Sequence, residues 1–130
     1  MRKQYHARQV GPERHVWDVH RLMRLAASRP SQFVPLSKLR EVDENWWYQD
    51  NSDVPTPRSF AGHMRQVQST DLKHPIILCS DGRLMDGMHR IVKALLEERS
   101  AILAVQFEKT PDPDYINPAP ENLSYDDENL

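Results

Sequence analysis

The sequence predicts an α+β (mixed α/β) chain, with a small mixed sheet packed by helices, and three observations carry that prediction. Apolar residues recur at spacings of three and four in three separate segments, the period of an amphipathic helix. Two short runs, Ile76 to Cys79 and Ala101 to Phe107, are instead nearly continuous in apolar residues, as strands buried on both faces are. Asp81-Gly82 lies between them and has hairpin-turn chemistry, so helical and extended segments alternate along the chain.

Taken in order, the first helix is predicted over Asp18–Ser28. Val19, Leu22, Met23 and Ala26 form its apolar stripe, Asp18 is its N-cap, and Arg29-Pro30 ends it. A short strand carrying Phe33 and Val34 follows, and then a helical turn capped by Ser37 that includes Leu39. Residues 43–58 hold two prolines and three adjacent aromatics without a period and read as a long loop. A second helix is expected from Ser59 to about Gln68, with Phe60, Met64 and Val67 on one side and His63 and Gln66 on another. His74-Pro75 breaks that pattern before the strand at Ile76, and Asp81-Gly82 turns the chain into a second strand over Arg83–Asp86. The third helix runs from Met88 to about Glu98, and the last strand from Ala101 to Phe107. Beyond that, Pro111, Pro113, Pro118 and Pro120 punctuate an arm expected to lie on the domain through Tyr115 and Ile116 and to fray further on.

The 130 residues suit one domain with a modest core. The expected organisation is a basic segment and helix over 1–31, the body over 32–108, and an acidic, proline-rich arm over 109–130. The net charge is −2, which argues against a protein built mainly to grip duplex DNA through its phosphates. It hides an asymmetry: residues 1–29 carry seven basic and two acidic groups, residues 108–130 one basic and seven acidic. The two ends are either simply solvated, or the head meets a polyanion for which the tail competes. No apolar run of membrane-spanning length and no signal-peptide core occur, and Cys79 is the single cysteine, so a reducing cytoplasmic setting is expected.

The chemistry concentrates at Asp86-Gly87-Met88-His89-Arg90, where a strand passes into a helix. Glycine permits a close approach, the first helical turn presents unpaired N–H groups, and His89 and Arg90 add side-chain donors, together an anion site. Asp86 either caps the helix and pairs with Arg90 one turn on, or holds a metal, or accepts a proton from a substrate hydroxyl. Glu41, Asp43 and Glu44, by themselves, read as ordinary surface carboxylates. Arg58, His63, Lys93 and Trp47 are secondary candidates for the pocket wall. His63 can instead be satisfied by a backbone carbonyl, and the Trp46–Tyr48 rings either plug the core or stack on a base. Cys79, within an apolar strand, reads as a core residue rather than a reactive thiol. The six histidines do not pair with the cysteine at zinc-ligand spacing, so no structural metal is expected, while Mg2+ carried by a nucleotide is compatible.

The order Val34-Pro35-Leu36, helix, Pro75-Ile76-Ile77-Leu78, Asp81-Gly82, Asp86-Gly87-Met88-His89-Arg90 and Ala101–Phe107 resembles the ParB/sulfiredoxin-like superfamily over about residues 32–108, and most closely its small bacterial ParB-like proteins. The resemblance implies a nucleotide whose phosphates bind Gly87, Met88, His89 and Arg90, with ATP, ADP or CTP and Mg2+ as candidates. Sulfiredoxins carry a nucleophilic cysteine where this chain has Met88, so that activity is not expected. Partition proteins add DNA-binding and dimerisation domains for which the chain is too short. Free-serine kinases share a similar Asp-Gly-His-His-Arg stretch, which implies phosphate binding by Gly87, His89 and Arg90 and an Asp86 near the attacking hydroxyl, with Glu41, Asp43 and Glu44 as acid–base candidates in the region of that family's catalytic glutamate; Met88 departs from it. The expected function is nucleotide binding, with phosphoryl transfer or nucleotide hydrolysis as the reaction class. The alternative is a non-enzymatic DNA-associated, regulatory or protein-interaction module related to partition proteins.

Overall fold

Two sheets rather than one organise the chain in the computed structural model, which describes residues 3–50 and 52–125. The strands are β1 (Tyr5–Val10), β2 (Glu13–Asp18), β3 (Gln32–Pro35), β4 (Ile76–Leu78), β5 (Leu84–Asp86), β6 (Ala101–Gln106) and β7 (Tyr115–Ile116). The helices are α1 (Val19–Ala26), α2 (Pro57–Ser69) and α3 (Met88–Leu96). The larger sheet has the order β3-β6-β4-β5, with β4 and β6 parallel and the other pairs antiparallel, so the expected mixed sheet and α+β class are present.

Side-chain alternation along these strands divides the core. Ile76, Leu78, Leu84, Ile102 and Ala104 face Met88, Ile91 and Ala94 of α3. Ile77, Cys79, Met85, Val105 and Phe107 face Trp17, Leu22 and Ala26 on the other side. Because β4 and β6 are buried on both faces, both sets of alternating residues are apolar, and this is why their sequences read as continuous runs. Cys79 is thus a core residue. Helix α2 lies beside α3 and buries only Val67; Phe60, expected on its apolar side, is 54% exposed.

The local signals operate with small shifts. The Asp18 carboxylate accepts from His20 N and Arg21 N at 2.9 and 3.4 Å and starts α1 as expected. Helix α2 begins two residues earlier than the sequence suggested, with Thr56 accepting from Ser59 N and Pro57 at its first position, where the missing N–H is harmless. The turn at Leu36–Lys38 has no side-chain cap, so Ser37 does not fill that role. The β4–β5 connection is also longer than a two-residue turn. Cys79 N donates to Arg83 O and Gly82 N to Cys79 O, leaving Ser80, Asp81 and Gly82 as a three-residue loop that closes on Gly82 at φ 81°.

The second sheet, β1-β2-β7, was not foreseen. Strands β1 and β2 form a hairpin turning at Gly11, within the segment read as a basic head, and β7 of the arm adds to β2 through His15–Ile116 and Val16–Tyr115. Only Val16 and Trp17 of the hairpin are buried, so it shows no sustained apolar alternation. The arm lies on the domain through Tyr115 and Ile116 as expected; its last five residues, where fraying was expected, fall outside the described residues. Head and tail do meet, through specific bonds: Trp17 Nε1 donates to Pro111 O at 2.8 Å, Asp18 N to Asp114 Oδ2 at 2.7 Å, and Arg21 pairs with Asp114 at 3.2 Å. No described helix is long and apolar enough to cross a membrane.

Candidate functional site

The start of α3 differs from those of α1 and α2 because no side chain caps it. Gly87 takes φ 124°, and a Cβ there would lie 2.5 Å from Ile76 Cγ2, so glycine is what lets the turn press against β4. The uncapped turn opens onto a cavity of about 300 Å³ walled by Trp46, Trp47, His6, Asp86, His89 and Arg90. Met88 sends its side chain into the core and contributes backbone alone. Arg90 Nη2 donates to Asp86 Oδ2 at 3.1 Å, while Arg90 Nε is buried with no hydrogen-bond partner among the described residues. Asp86 does not cap the helix, whose N-cap is Gly87, but it pairs with Arg90 and lines the cavity. Burial raises the Asp86 carboxyl above its usual range despite the opposing influence of Arg90 and His20.

Behind His89 runs a chain of short hydrogen bonds from the loop through α2. Ser59 Oγ donates to Asp53 Oδ1 at 2.6 Å, Asp53 Oδ2 lies 2.8 Å from His63 Nε2, and His63 Nδ1 lies 2.9 Å from His89 Nε2. Trp47 stacks on both imidazoles, at 4.1 Å and 7° from His63 and 5.0 Å and 22° from His89, and Tyr48 meets His63 edge-on. The bonds from Ser59 and His63 hold the Asp53 carboxyl below its ordinary range. Burial, with the neighbouring charges of His63 and Arg90, lowers His89 to about 4, so its ring is neutral near neutral pH.

His6 and Trp46, also on the wall, belong to a second aromatic stack. His6 lies between Trp17 and Trp46, at 5.7 and 5.8 Å, and burial, then the charges of Arg8 and Arg83, lower it to about 3. Tyr5, His6, Trp46 and Trp47 also border a larger cavity of about 530 Å³ between the β1–β2 hairpin and the loop, which Arg8, Arg14 and Arg83 line as well.

Of the residues the sequence singled out, the structure therefore brings together Asp86, Gly87, Met88, His89, Arg90, His63 and Trp47. It does not bring Glu41 or Asp43 there. Glu41 is 1% exposed and is spent on structure, with Oε2 2.8 Å from Arg83 Nε and accepting from Leu84 N; Asp43 is exposed at the end of the Arg40–Asp43 turn. Glu44, the third carboxylate, takes the other end of Arg83. Arg58 is exposed on the first turn of α2 and borders neither cavity, and Lys93 is committed to the end of α2, donating to Thr70 O at 2.6 Å and Gln68 O at 3.3 Å. His63 is satisfied by Asp53 and His89 rather than by a carbonyl. Asp53 and His6 were missed, and Ser59 was read only as a helix start: a polar residue in a proline-containing loop and a histidine in an unrecognised strand give no periodic signal. Burial raises the Cys79 thiol, but hydrogen bonds, the Arg8 guanidinium among them at 3.5 Å, outweigh it and leave it below its ordinary value. Among the described residues no group of three or more histidine, cysteine or acidic side chains is arranged to hold a metal ion.

Fold and site together define an α+β domain with an aromatic-walled cavity at the start of a helix. Comparison of the chain with protein-family models, curated proteins and solved structures returns no match.

Proposed function

We propose that this is a nucleotide-binding domain of ParB/sulfiredoxin-like type that takes the phosphates of its ligand at the start of α3 and transfers or hydrolyses a phosphoryl group. The observation that carries the reading is the uncapped first turn of α3 opening, beside Arg90 and His89, onto a cavity with tryptophan walls. Free N–H groups and the helix dipole favour an anion there. Arg90 has five N–H donors, of which Asp86 engages one, so the guanidinium retains capacity for phosphate. A cavity of about 300 Å³ suits phosphates rather than a whole nucleotide, and the adjoining one of about 530 Å³, reached past Trp46 and Trp47, offers room for the nucleoside.

Calorimetric titration with ATP, ADP and CTP, each with and without Mg2+, tests this. One of them should bind, and Arg90→Ala should weaken it by about 10- to 100-fold, the value of a charge-assisted hydrogen bond. Absence of binding to all three by the native chain overturns the reading.

A further inference from the structure

We propose that Asp53, His63 and His89 form a proton relay, in which Nδ1 of His89 takes the proton of a hydroxyl acceptor, water or an alcohol, as that oxygen attacks a phosphoryl group held at the start of α3. The inference rests on the phosphate site proposed above and adds to it a base and the class of acceptor.

The hydrogen-bond directions follow from the groups themselves. The Asp53 carboxylate already accepts from Ser59, and it can only accept from His63, so the 2.8 Å contact puts a proton on His63 Nε2. In the neutral state from which the relay starts, His63 has a lone pair at Nδ1, and the 2.9 Å contact is then a donation from His89 Nε2. The unprotonated nitrogen of His89 is therefore Nδ1, on a ring that borders the cavity. Trp47 stacks on both imidazoles, with its ring nearly parallel to that of His63 and tilted 22° from that of His89. A histidine needing only a partner for burial would be satisfied by one of these contacts. Here both nitrogens of His63 are committed, and the carboxylate at the far end has its own donor.

The groups facing the two rings are Asp53 and Tyr48 from the loop, Ser59 on α2, and Arg90 beside His89 on α3. Arg90 disfavours a cation resting on His89, and the Asp53 carboxylate lies 2.8 Å from His63 Nε2. In the step, the acceptor oxygen bonds to phosphorus and the bond from phosphorus to the bridging oxygen breaks, its electron pair leaving with the shortened nucleotide. The hydroxyl proton passes to His89 Nδ1 while the Nε2 proton moves to His63 Nδ1, so the positive charge comes to rest against Asp53. His89 is the catalytic base, and His63 and Asp53 are positioning residues.

The test uses the full chain and its His63→Gln and Asp53→Asn variants. Glutamine can keep hydrogen bonds at position 63 but cannot carry the proton; asparagine at the half-exposed position 53 keeps the shape and loses the charge. Four readouts are taken: nucleotide affinity by calorimetry, phosphate release to water, transfer to glycerol as a probe alcohol, and the histidine tautomers by nitrogen NMR. The native chain should turn over with both histidines as the Nε2–H tautomer. Each variant should lose about 10²–10⁴-fold in kcat with affinity nearly unchanged, and the acid limb of its pH–rate profile should move. Native binding with no release or transfer, a different tautomer, or variants with unchanged kcat and pH profile overturns the relay while leaving the phosphate site standing. Failure of the native chain to bind any nucleotide overturns the site itself, and the relay with it.

Discussion

Replacing Gly87 with alanine isolates the contact on which the site is built. At φ 124° an L-residue is strained, and the new Cβ would lie 2.5 Å from Ile76 Cγ2, 2.9 Å from Ile76 Cβ and 3.0 Å from Arg90 Nη2. Ile76 is fully buried in β4, so its side chain has nowhere to yield without moving the strand or the start of α3. Backbone strain of ~1–3 kcal/mol and overpacking of a similar ~1–3 kcal/mol together predict a loss of about 2–6 kcal/mol. That is a large share of the ~5–15 kcal/mol that holds a domain folded. Urea unfolding followed by tryptophan fluorescence measures it, as a fall in the midpoint at constant slope. Ile76→Ala removes the nearest methyl, so the double variant should be more stable than the two single losses added together imply, by at least ~1 kcal/mol. A loss under ~1 kcal/mol for Gly87→Ala, or strict additivity in the double variant, refutes the steric account.

Removing the partner of Glu41 should matter more than its surface neighbour suggests: Arg83→Met leaves a fully buried carboxylate with only the Leu84 N–H, and should cost about 3–5 kcal/mol in urea unfolding, most of it recovered in Arg83→Met/Glu41→Met. Equal stability of Arg83→Met and the native chain would show that the pair is immaterial. His6 is lowered to about 3 and His89 to about 4, whereas an unfolded histidine titrates near 6.5. The unfolded chain therefore binds more protons below that value, so this stabilisation is complete above about pH 6.5 and is lost as pH falls toward 4 and then 3. The melting temperature of the native chain should drop between about pH 7 and pH 5, where ordinary carboxylates stay ionised, and His6→Phe should shallow that drop. An unchanged slope in the variant would mean that His6 does not carry it.

The elements the sequence determined by itself are those whose cause lies within a few residues. The Asp18 cap, the 3.6-residue period of α1 and α3 and the apolar runs of β4 and β6 are each written in neighbouring letters. The Gly87–Arg90 turn was legible for the same reason. Other features depend on what the chain meets at a distance. The β1–β2 hairpin has two buried residues, and β7 is held by partners about a hundred positions away, so neither leaves an apolar pattern. Glu41 reads as an acid–base candidate until Arg83 and Leu84 claim it, and Lys93 as a pocket residue until the end of α2 does. Asp53, His63 and His89 come from a loop and two helices, and nothing in their spacing joins them. Their alignment is decided by the packing of α2 against α3 under Trp47, because hydrogen bonds between side chains depend on distance in space, which the larger sheet and its helices set and sequence separation does not.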